Sequence, residues 1–491
     1  MNILKNISYF GFSTFLSRIL GYLRDTLIAI FLGTSAVADA LFVAFRIPNT
    51  FRSLFAEGSF NSAFIPAYAK EKGSKKNYFA NQILNLLVIF ILFIIFIIEI
   101  FAAEFLFLIS PGFKDIDGKF DLAVDLSRIT FPFLLFISIS SFLSAILNSN
   151  GKFLITAAAP IILNILLILS LVFFHDSQME IAYASSYALT LAGIIQVIFL
   201  FFFAKKYFKL NFSFIININK QVKSFFCKLL PSVFASGVNQ INILIGTIIA
   251  SFESGAVSYL YYADRIYQLP LALTGIAIAT VILPSLSKEV FRFKLTKVNF
   301  IQNRSLELCL FLSLPATIGI FLAAKQIISA LYGYGFFDSE SVVNTSSALL
   351  LFGIGLPAFA LIKIYSSFYF ARGNTKFPFY LSLFSVILNV SISLTLFKNY
   401  GFLIIPLATS ISAWLTVLVY QFNLIKSGNH SFDKLFIIRF IKSILCTLFM
   451  GLILSFLLNY FSTELESKSV IKAVILISVV LFSAFVYFLT A

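Results

Sequence analysis

Four arginines stand in stretches that are otherwise apolar: Arg18, Arg24, Arg52 and Arg265. A guanidinium stays charged, and its planar fork matches two oxygens of one phosphate or carboxylate. Facing lipid, each costs about 2.5–3.5 kcal/mol, so the four together would cost on the order of 10–14 kcal/mol. They are therefore expected to face a watery cavity or paired acids. Four acids lie in the same stretches: Asp25, Asp39, Glu57 and Asp264. A fifth arginine, Arg46, follows Asp39 at a spacing that puts both on one helix face, and Ser17 and Arg24 are spaced alike. Charge counting leaves two readings open. Arg24 with Asp25 or Asp39, and Arg265 with Asp264, could be internal struts, or the arginines could line an anion site. Residue type favours an anionic, phosphate-bearing ligand. A cation site would present carboxylates, and residues 225–252 and 377–397 carry no Asp or Glu. Lys363 is a further membrane cation, readable as strut or as site. Glu99, Glu104, Arg128, Glu307, Arg439 and Lys442 read as helix-end or snorkelling groups.

The elements that must position these charges are membrane helices. The chain has 491 residues, 60% of them hydrophobic and 12% charged, against roughly 25% charged in a soluble domain. Its 63 Phe and mean hydropathy of +0.98 exceed what a soluble core could hide. The fold class is therefore an all-α multi-pass membrane protein. Cys227, Cys309 and Cys446 are far apart in apolar context, and there are two histidines. Neither a disulfide framework nor a zinc site is expected, and no catalytic or metal-ligating set emerges. The net charge of +15 is read as basic loops that set topology. The aromatics lie inside apolar runs rather than among basic clusters, which speaks against nucleic acid.

Apolar runs between polar breaks predict about fourteen spans: 6–33, 36–69, 78–108, 120–148, 154–174, 181–204, 225–251, 256–287, 304–332, 342–370, 377–397, 402–425, 435–460 and 469–490. Their length excludes membrane strands. Gly11, Gly21, Gly33, Pro48, Gly58 and Pro66 make the first two the most interrupted, and Pro48 is expected to break the turn before Arg52. Broken helices expose backbone N–H groups, which serve anions where a cavity is present. The first stretch holds Arg18 and Arg24 and lacks a small-residue cleavage site, so it is not read as a removed signal peptide. With the N-terminus inside, one face collects Lys70, Lys72, Lys75, Lys76, Lys152, Lys205, Lys206, Lys209, Lys220, Lys223, Lys288, Arg292, Lys294, Lys297, Arg304, Arg372, Lys376, Lys426 and Lys434. The other face holds Lys114, Lys119, Lys398 and Lys468 among acids such as Asp115, Asp117, Asp121 and Asp176. Both termini are expected to be cytoplasmic.

The chain repeats itself. Pro66–Glu71 matches Pro284–Glu289, and Ala44–Ile47 matches Ala263–Ile266. Lys152-Phe153 with Asn164 matches Lys376-Phe377 with Asn389. All three share a near-constant offset of about 220 residues. This predicts two six-helix lobes of parallel orientation, 1–218 and 219–430, and a two-helix tail, 431–491. Parallel halves suggest a transporter whose site lies between them near mid-membrane.

The words that carry the charges resemble those of the MurJ/MviN family of lipid II flippases. They are Ser17-Arg18-Ile-Leu-Gly21-Tyr-Leu-Arg24-Asp25, and the run from Ala38-Asp39 through Arg46-Ile-Pro48-Asn49-Thr-Phe-Arg52 and Glu57-Gly58 to Pro66. Tyr261-Tyr262-Ala263-Asp264-Arg265 and Leu283-Pro284-Ser285 are also similar, as are Pro111-Gly112-Phe113 and Ala145-Ile-Leu-Asn148. The likeness spans essentially the whole chain; the last two helices are matched by hydropathy alone. It implies the multidrug/oligosaccharidyl-lipid/polysaccharide exporter fold: two six-helix lobes in a V, with the last two helices forming a groove for a lipid tail. It maps the cavity arginines onto Arg18, Arg24, Arg52 and Arg265, and other sensitive positions onto Ser17, Asp25, Asp39, Asn49, Glu57 and Ser258; Asp264 joins the candidate site beside Arg265.

The activity implied is movement of the undecaprenyl-pyrophosphate-linked headgroup of lipid II to the outer leaflet of the bacterial inner membrane, for peptidoglycan biosynthesis. The implied partners are lipid II, membrane lipids and the cell-wall synthesis machinery, with the chain acting as a monomer. No cofactor is expected; the membrane potential is the expected driving force, at about 2.3 kcal/mol per charge per 100 mV. The rival readings are another lipid-linked oligosaccharide or polysaccharide exporter and a cation-coupled drug antiporter of the same fold. A membrane scaffold leaves the arginines unexplained. A phosphotransferase lacks an Asp-rich magnesium motif, so no enzyme is expected.

Overall fold

A computed structural model of the chain describes residues 3–56, 59–71, 73–211, 219–466 and 471–491. Glu57, Gly58, Lys72 and Lys468, all singled out from the sequence, lie outside the described residues. Among the described residues every regular element is helical, and there is no strand. In chain order the helices are α1 (Ile3–Leu32), α2 (Ala36–Ala56), α3 (Ser59–Lys70), α4 (Ser74–Ile100), α5 (Ala102–Ile109), α6 (Lys119–Thr130) and α7 (Phe133–Ser149). Then come α8 (Phe153–Phe173), α9 (Gln178–Ala204), α10 (Lys220–Ala250), α11 (Ala256–Leu271), α12 (Ala277–Phe291) and α13 (Leu295–Tyr332). The last are α14 (Ser339–Phe370), α15 (Lys376–Tyr400), α16 (Ile404–Lys426), α17 (Lys434–Tyr460), the short α18 (Ser462–Glu466) and α19 (Ile471–Thr490).

Ten stretches among the described residues are long and apolar enough to cross a bilayer. One of them, Lys376–Lys426, holds both α15 and α16. The seventh predicted span contributes a shorter apolar segment, Gln240–Ala250. The first two predicted spans are not among the ten, and these carry most of the intramembrane charges.

The break that the sequence predicts at Pro48 does not occur, for a physical reason. A proline inside a helix leaves the carbonyl four residues earlier without its intrahelical donor, and in hydrocarbon a neighbour must supply one. Pro48 does not end its helix; α2 runs through it. The freed carbonyl, that of Ala44, accepts the Thr130 hydroxyl of α6 at 3.1 Å. Pro315 inside α13 frees the carbonyl of Phe311, which accepts the Tyr487 hydroxyl of α19 at 2.7 Å. Each proline thus fixes where a second helix docks. Between α11 and α12 the chain widens into a π turn, Ala272–Ile276.

The chain forms two compact units, residues 1–257 and 258–491. The repeat in the sequence puts its boundary at 218/219 instead. The first compact unit reaches further because Val222, Phe225 and Leu229 of α10 join its aromatic core. There Phe60, Phe64, Phe79, Phe142 and Phe225 meet, with ring centroids 5.3 to 6.5 Å apart. In the second unit Tyr365, Tyr369, Tyr420 and Phe377 stack similarly, and a smaller apolar cluster, including Ala323, Leu454, Leu458 and Leu476, ties the tail helices to α13.

Both units contain the same polar clasp, which the sequence reading missed. Asn77 and Asn81, one turn apart on α4, donate to the carbonyl of Lys209 at 3.0 and 2.9 Å. Their side-chain oxygens accept the N–H groups of Lys209 and Asn211. On α13, Asn303 donates to the carbonyl of Ser431 at 2.9 Å and Asn299 to its hydroxyl at 3.1 Å. The three positions of each clasp are related by one displacement along the chain. The next residue on each helix reaches the cap of the helix that follows the loop. Gln82 accepts from Asn219, and Arg304 bridges Asp433 at 2.9 Å. Asn219 and Asp433 in turn accept the N–H groups of Val222 and Phe436, capping α10 and α17. The signal was available: Asn77-Tyr-Phe-Ala-Asn81-Gln82 lies beside Asn299-Phe-Ile-Gln-Asn303-Arg304 at nearly the same offset as the other repeats. In the loop of the second clasp, burial and the nearby Arg372 push the His430 imidazole down to about 4, so it stays neutral at ordinary pH.

Asn303 is almost wholly buried, and its loss strands the Ser431 carbonyl. Asn303→Ala is expected to cost about 1–3 kcal/mol. Asn299→Ala, whose bond is exposed, is expected to cost less than about 1 kcal/mol. Thermal unfolding of the two purified variants in one detergent checks the order.

Candidate functional site

The first network is built on α1 and α8. Ser17 and Arg24 share a face of α1, and Asn164 of α8 packs beside Gly21 between them. Asn164 donates to the Ser17 carbonyl at 2.9 Å and accepts Nη1 of Arg24 at 3.0 Å. The Arg24 guanidinium also closes on one oxygen of Asp25, with Nη2 at 2.6 Å and Nε at 3.0 Å. Asp25 is buried at 3% exposure, so this pairing neutralises a carboxylate that could not stay charged alone. Of the two partners considered for Arg24, it is Asp25 that the geometry selects. Asn164 was noted in the sequence as part of a repeat, together with Asn389, and not as a partner of Arg24. A single asparagine facing a glycine and an arginine on another span was its only signal.

Arg18, on the same helix, is exposed and makes no hydrogen bond or ion pair among the described residues. Asn49 and Arg52 are partly exposed on α2. The neighbouring Ser53 hydroxyl accepts the Gln240 amide of α10 at 2.6 Å. Glu57 lies outside the described residues.

Asp39 has a second set of partners. Its Oδ2 bonds Lys119 Nζ at 2.7 Å and accepts the N–H of Gly255 at 2.9 Å. Both charged side chains have 0% exposure. Lys119 also lies 4.1 Å above the buried Phe113 ring. Next to Phe113, Gly112 donates to the Ser251 hydroxyl at 3.1 Å, and a Cβ there would come within 2.5 Å of the 251–252 backbone. Any side chain at 112 would push that turn away. Gly255 sits at φ 76°, a conformation that suits glycine. In this conformation Asp39 ties α2 to the start of α6 and to the turn after α10. Lys119 was read from the sequence as a loop charge, and its burial was not visible there.

The remaining candidates lie in the second compact unit, on α11. Ser258 is wholly buried in the first turn. Arg265 places its guanidinium carbon 4.8 Å from the centroid of the Tyr261 ring, and Nη2 donates to the Tyr261 hydroxyl at 3.0 Å. The cation is thus held both by the ring and by its hydroxyl. Asp264, partly exposed, accepts the Gln268 amide one turn on. The structure therefore gathers Ser17, Arg24 and Asp25 around Asn164, sets Asp39 on a separate strut, and holds Arg265 on an aromatic ring. Oriented guanidinium groups of this kind can bind a phosphate with two parallel N–H···O bonds.

The family model described as "Lipid II flippase MurJ" matches residues 28–476. A curated protein of Rickettsia prowazekii (strain Madrid E), named "Probable lipid II flippase MurJ", is 37% identical over 501 aligned positions, covering 100% of this chain and 97% of the relative. The solved structure "Lipid II flippase MurJ, inward closed conformation" is 28% identical, with a TM-score of 0.80 and 98% of each chain covered. An inward-facing multidrug resistance MATE family transporter of the MOP superfamily aligns at TM-score 0.69 and 17% identity, covering 84% of this chain and 95% of its own. That likeness shows the shared fold.

Removing one partner of a buried ion pair strands the other charge. Lys119→Met is expected to cost about 3–5 kcal/mol, and adding Asp39→Asn to it should restore most of that loss. Thermal melts of the two single variants and the double variant measure the coupling; simple additivity would show that the pair contributes nothing as a pair.

Proposed function

We propose the work of this chain from two premises: it belongs to the lipid II flippase MurJ family, and its apolar helices hold arginines in fixed polar settings. The chain is a lipid II flippase. It carries the undecaprenyl-pyrophosphate-linked headgroup from the inner to the outer leaflet and so supplies peptidoglycan synthesis. It is a transporter and performs no catalysis. It sits in the bacterial inner membrane with both termini in the cytoplasm, a reading supported by the lysines that collect on one face of the topology.

The proposed mechanism is alternating access of two six-helix lobes, 1–218 and 219–430. The headgroup enters from the cytoplasm, the arginines hold its diphosphate, and the polyprenyl tail stays in the bilayer along the tail helices, 431–491. Arg18, Arg52 and Arg265 supply the charge, with Arg24 oriented by Asn164 and Asp25. Ser17, Asn49, Ser258, Asp264 and Glu57 complete the candidate set. The membrane potential pushes the bound anion outward and favours inward return of the emptied cationic site, so both half-cycles run downhill. No cofactor is needed, and the chain works as a monomer that hands its cargo to the cell-wall machinery.

The observation that carries the diphosphate reading is Arg265 on Tyr261. It is an oriented guanidinium in an apolar helix, in the repeat-related counterpart of the span that holds Arg46 and Arg52. The rival cation antiporter would need carboxylates where this chain concentrates arginines.

The test is complementation of a bacterium depleted of its flippase. Wild type should restore growth and shape, while Arg52→Ala and Arg265→Ala, present in the membrane at wild-type level, should not. Arg24 is a poorer probe, because its removal also strands Asp25. Growth on both alanine variants would contradict the assignment, and so would efflux of a cationic dye that depends on Asp264 but not on Arg265.

A further inference from the structure

Arg439 and Lys442 were read from the sequence as snorkelling groups, and the structure gives them a common address. A cavity of about 390 Å³ lies among α13, α17 and the end of α19, lined by Arg304, Glu307, Leu308, Phe311, Arg439 and Lys442 among others. Within it Glu307 serves two arginines: it pairs with Arg304 and takes Nη1 of Arg439 at 3.0 Å. Arg304 is further held by Asp433 at 2.9 Å. Two carboxylates are thus committed to two arginines. Lys442 is left with no ion pair or hydrogen bond among the described residues. Arg439 remains 53% exposed, with one nitrogen engaged by Glu307. Three cations thus meet two carboxylates, and Ala491, which also lines the cavity, makes no ion pair with Arg439 or Lys442 among the described residues.

Its surroundings identify the ligand class. Leu308 in its lining, and Ile438, Ile441 and Leu445 near Arg439 and Lys442 along α17, are exposed apolar side chains. A soluble anion would gain nothing from them, whereas acyl chains would. At 1.5 Å per residue Lys442 lies about 12 Å along α17 from its start at Lys434, a depth from which a long lysine side chain snorkels back to the headgroup layer. We propose that Arg439 and Lys442 bind the phosphate of an anionic phospholipid in the cytoplasmic leaflet, whose chains lie against α13 and α17. The leaflet named rests on the orientation proposed above; the site itself does not. It is separate from the arginines assigned to cargo, and its occupant is a resident membrane lipid that braces the tail helix α17 against α13.

The experiment uses the full chain in phosphatidylcholine nanodiscs with increasing phosphatidylglycerol, and counts retained lipids by native mass spectrometry. Each cation near the surface is worth about one factor of five, so Lys442→Ala with Arg439→Gln should weaken phosphatidylglycerol retention about 30-fold. Lys442→Ala alone, which strands no partner and so keeps the fold, should weaken it about fivefold, and Lys442→Arg should keep it. Equal retention by wild type and Lys442→Ala overturns the proposal. So does displacement of the retained lipid by soluble glycerol phosphate, which would mark a free-anion site. Because the readout is lipid retention, a failed complementation test of the flippase reading leaves this outcome unaffected.

Discussion

The constraint from which the rest follows is the cost of a charge in hydrocarbon. Every ionisable group inside these helices must be paired, held on a ring, or kept in contact with water. The chain uses each solution in a different place. Asp39 and Lys119 neutralise one another with no exposure at all. Arg24 and Asp25 pair on one helix, under the control of an asparagine from another. Arg265 lies against Tyr261, and Arg18 stays exposed. The first solution builds a strut. The second and third fix the direction of a guanidinium, and the last keeps one in contact with the surroundings of the protein.

Backbone polar groups in hydrocarbon obey the same constraint. Carbonyls released by Pro48 and Pro315 are taken up by Thr130 and Tyr487 from other helices. Loop ends are clasped by paired asparagines in both units. The clasps also give the internal repeat a physical meaning. Two bundles descended from one pattern keep not only their apolar periodicity but the hydrogen bonds that close their final loops. A transporter needs such closure, since a lobe that is to move as a body must not fray at its ends.

How much of this was legible in the sequence depends on the kind of signal. Hydropathy showed an all-helical membrane chain, because apolar runs of that length have few other fates. The charged positions were visible as exceptions to those runs. Their partners were not, because pairing is decided by packing between distant spans. Nothing local joins Asp39 to Lys119 or Arg24 to Asn164. The expected break at Pro48 failed for the same reason: the residue that rescues it, Thr130, is remote in sequence. The two clasps could have been read from the paired asparagines, had the repeat been extended to polar positions. Arg439 and Lys442 show the converse limit, since their individual snorkelling was legible and their convergence on one cavity was not.

The central claim is that these guanidinium groups recognise a diphosphate. The most direct measurement is the affinity of the purified protein for undecaprenyl diphosphate against undecaprenyl monophosphate, in wild type and Arg265→Lys. The account predicts at least about tenfold tighter binding of the diphosphate by wild type, with the preference shrinking when the planar fork is replaced by a point charge. Equal affinity for the two lipids, unchanged by Arg265→Lys, would contradict it.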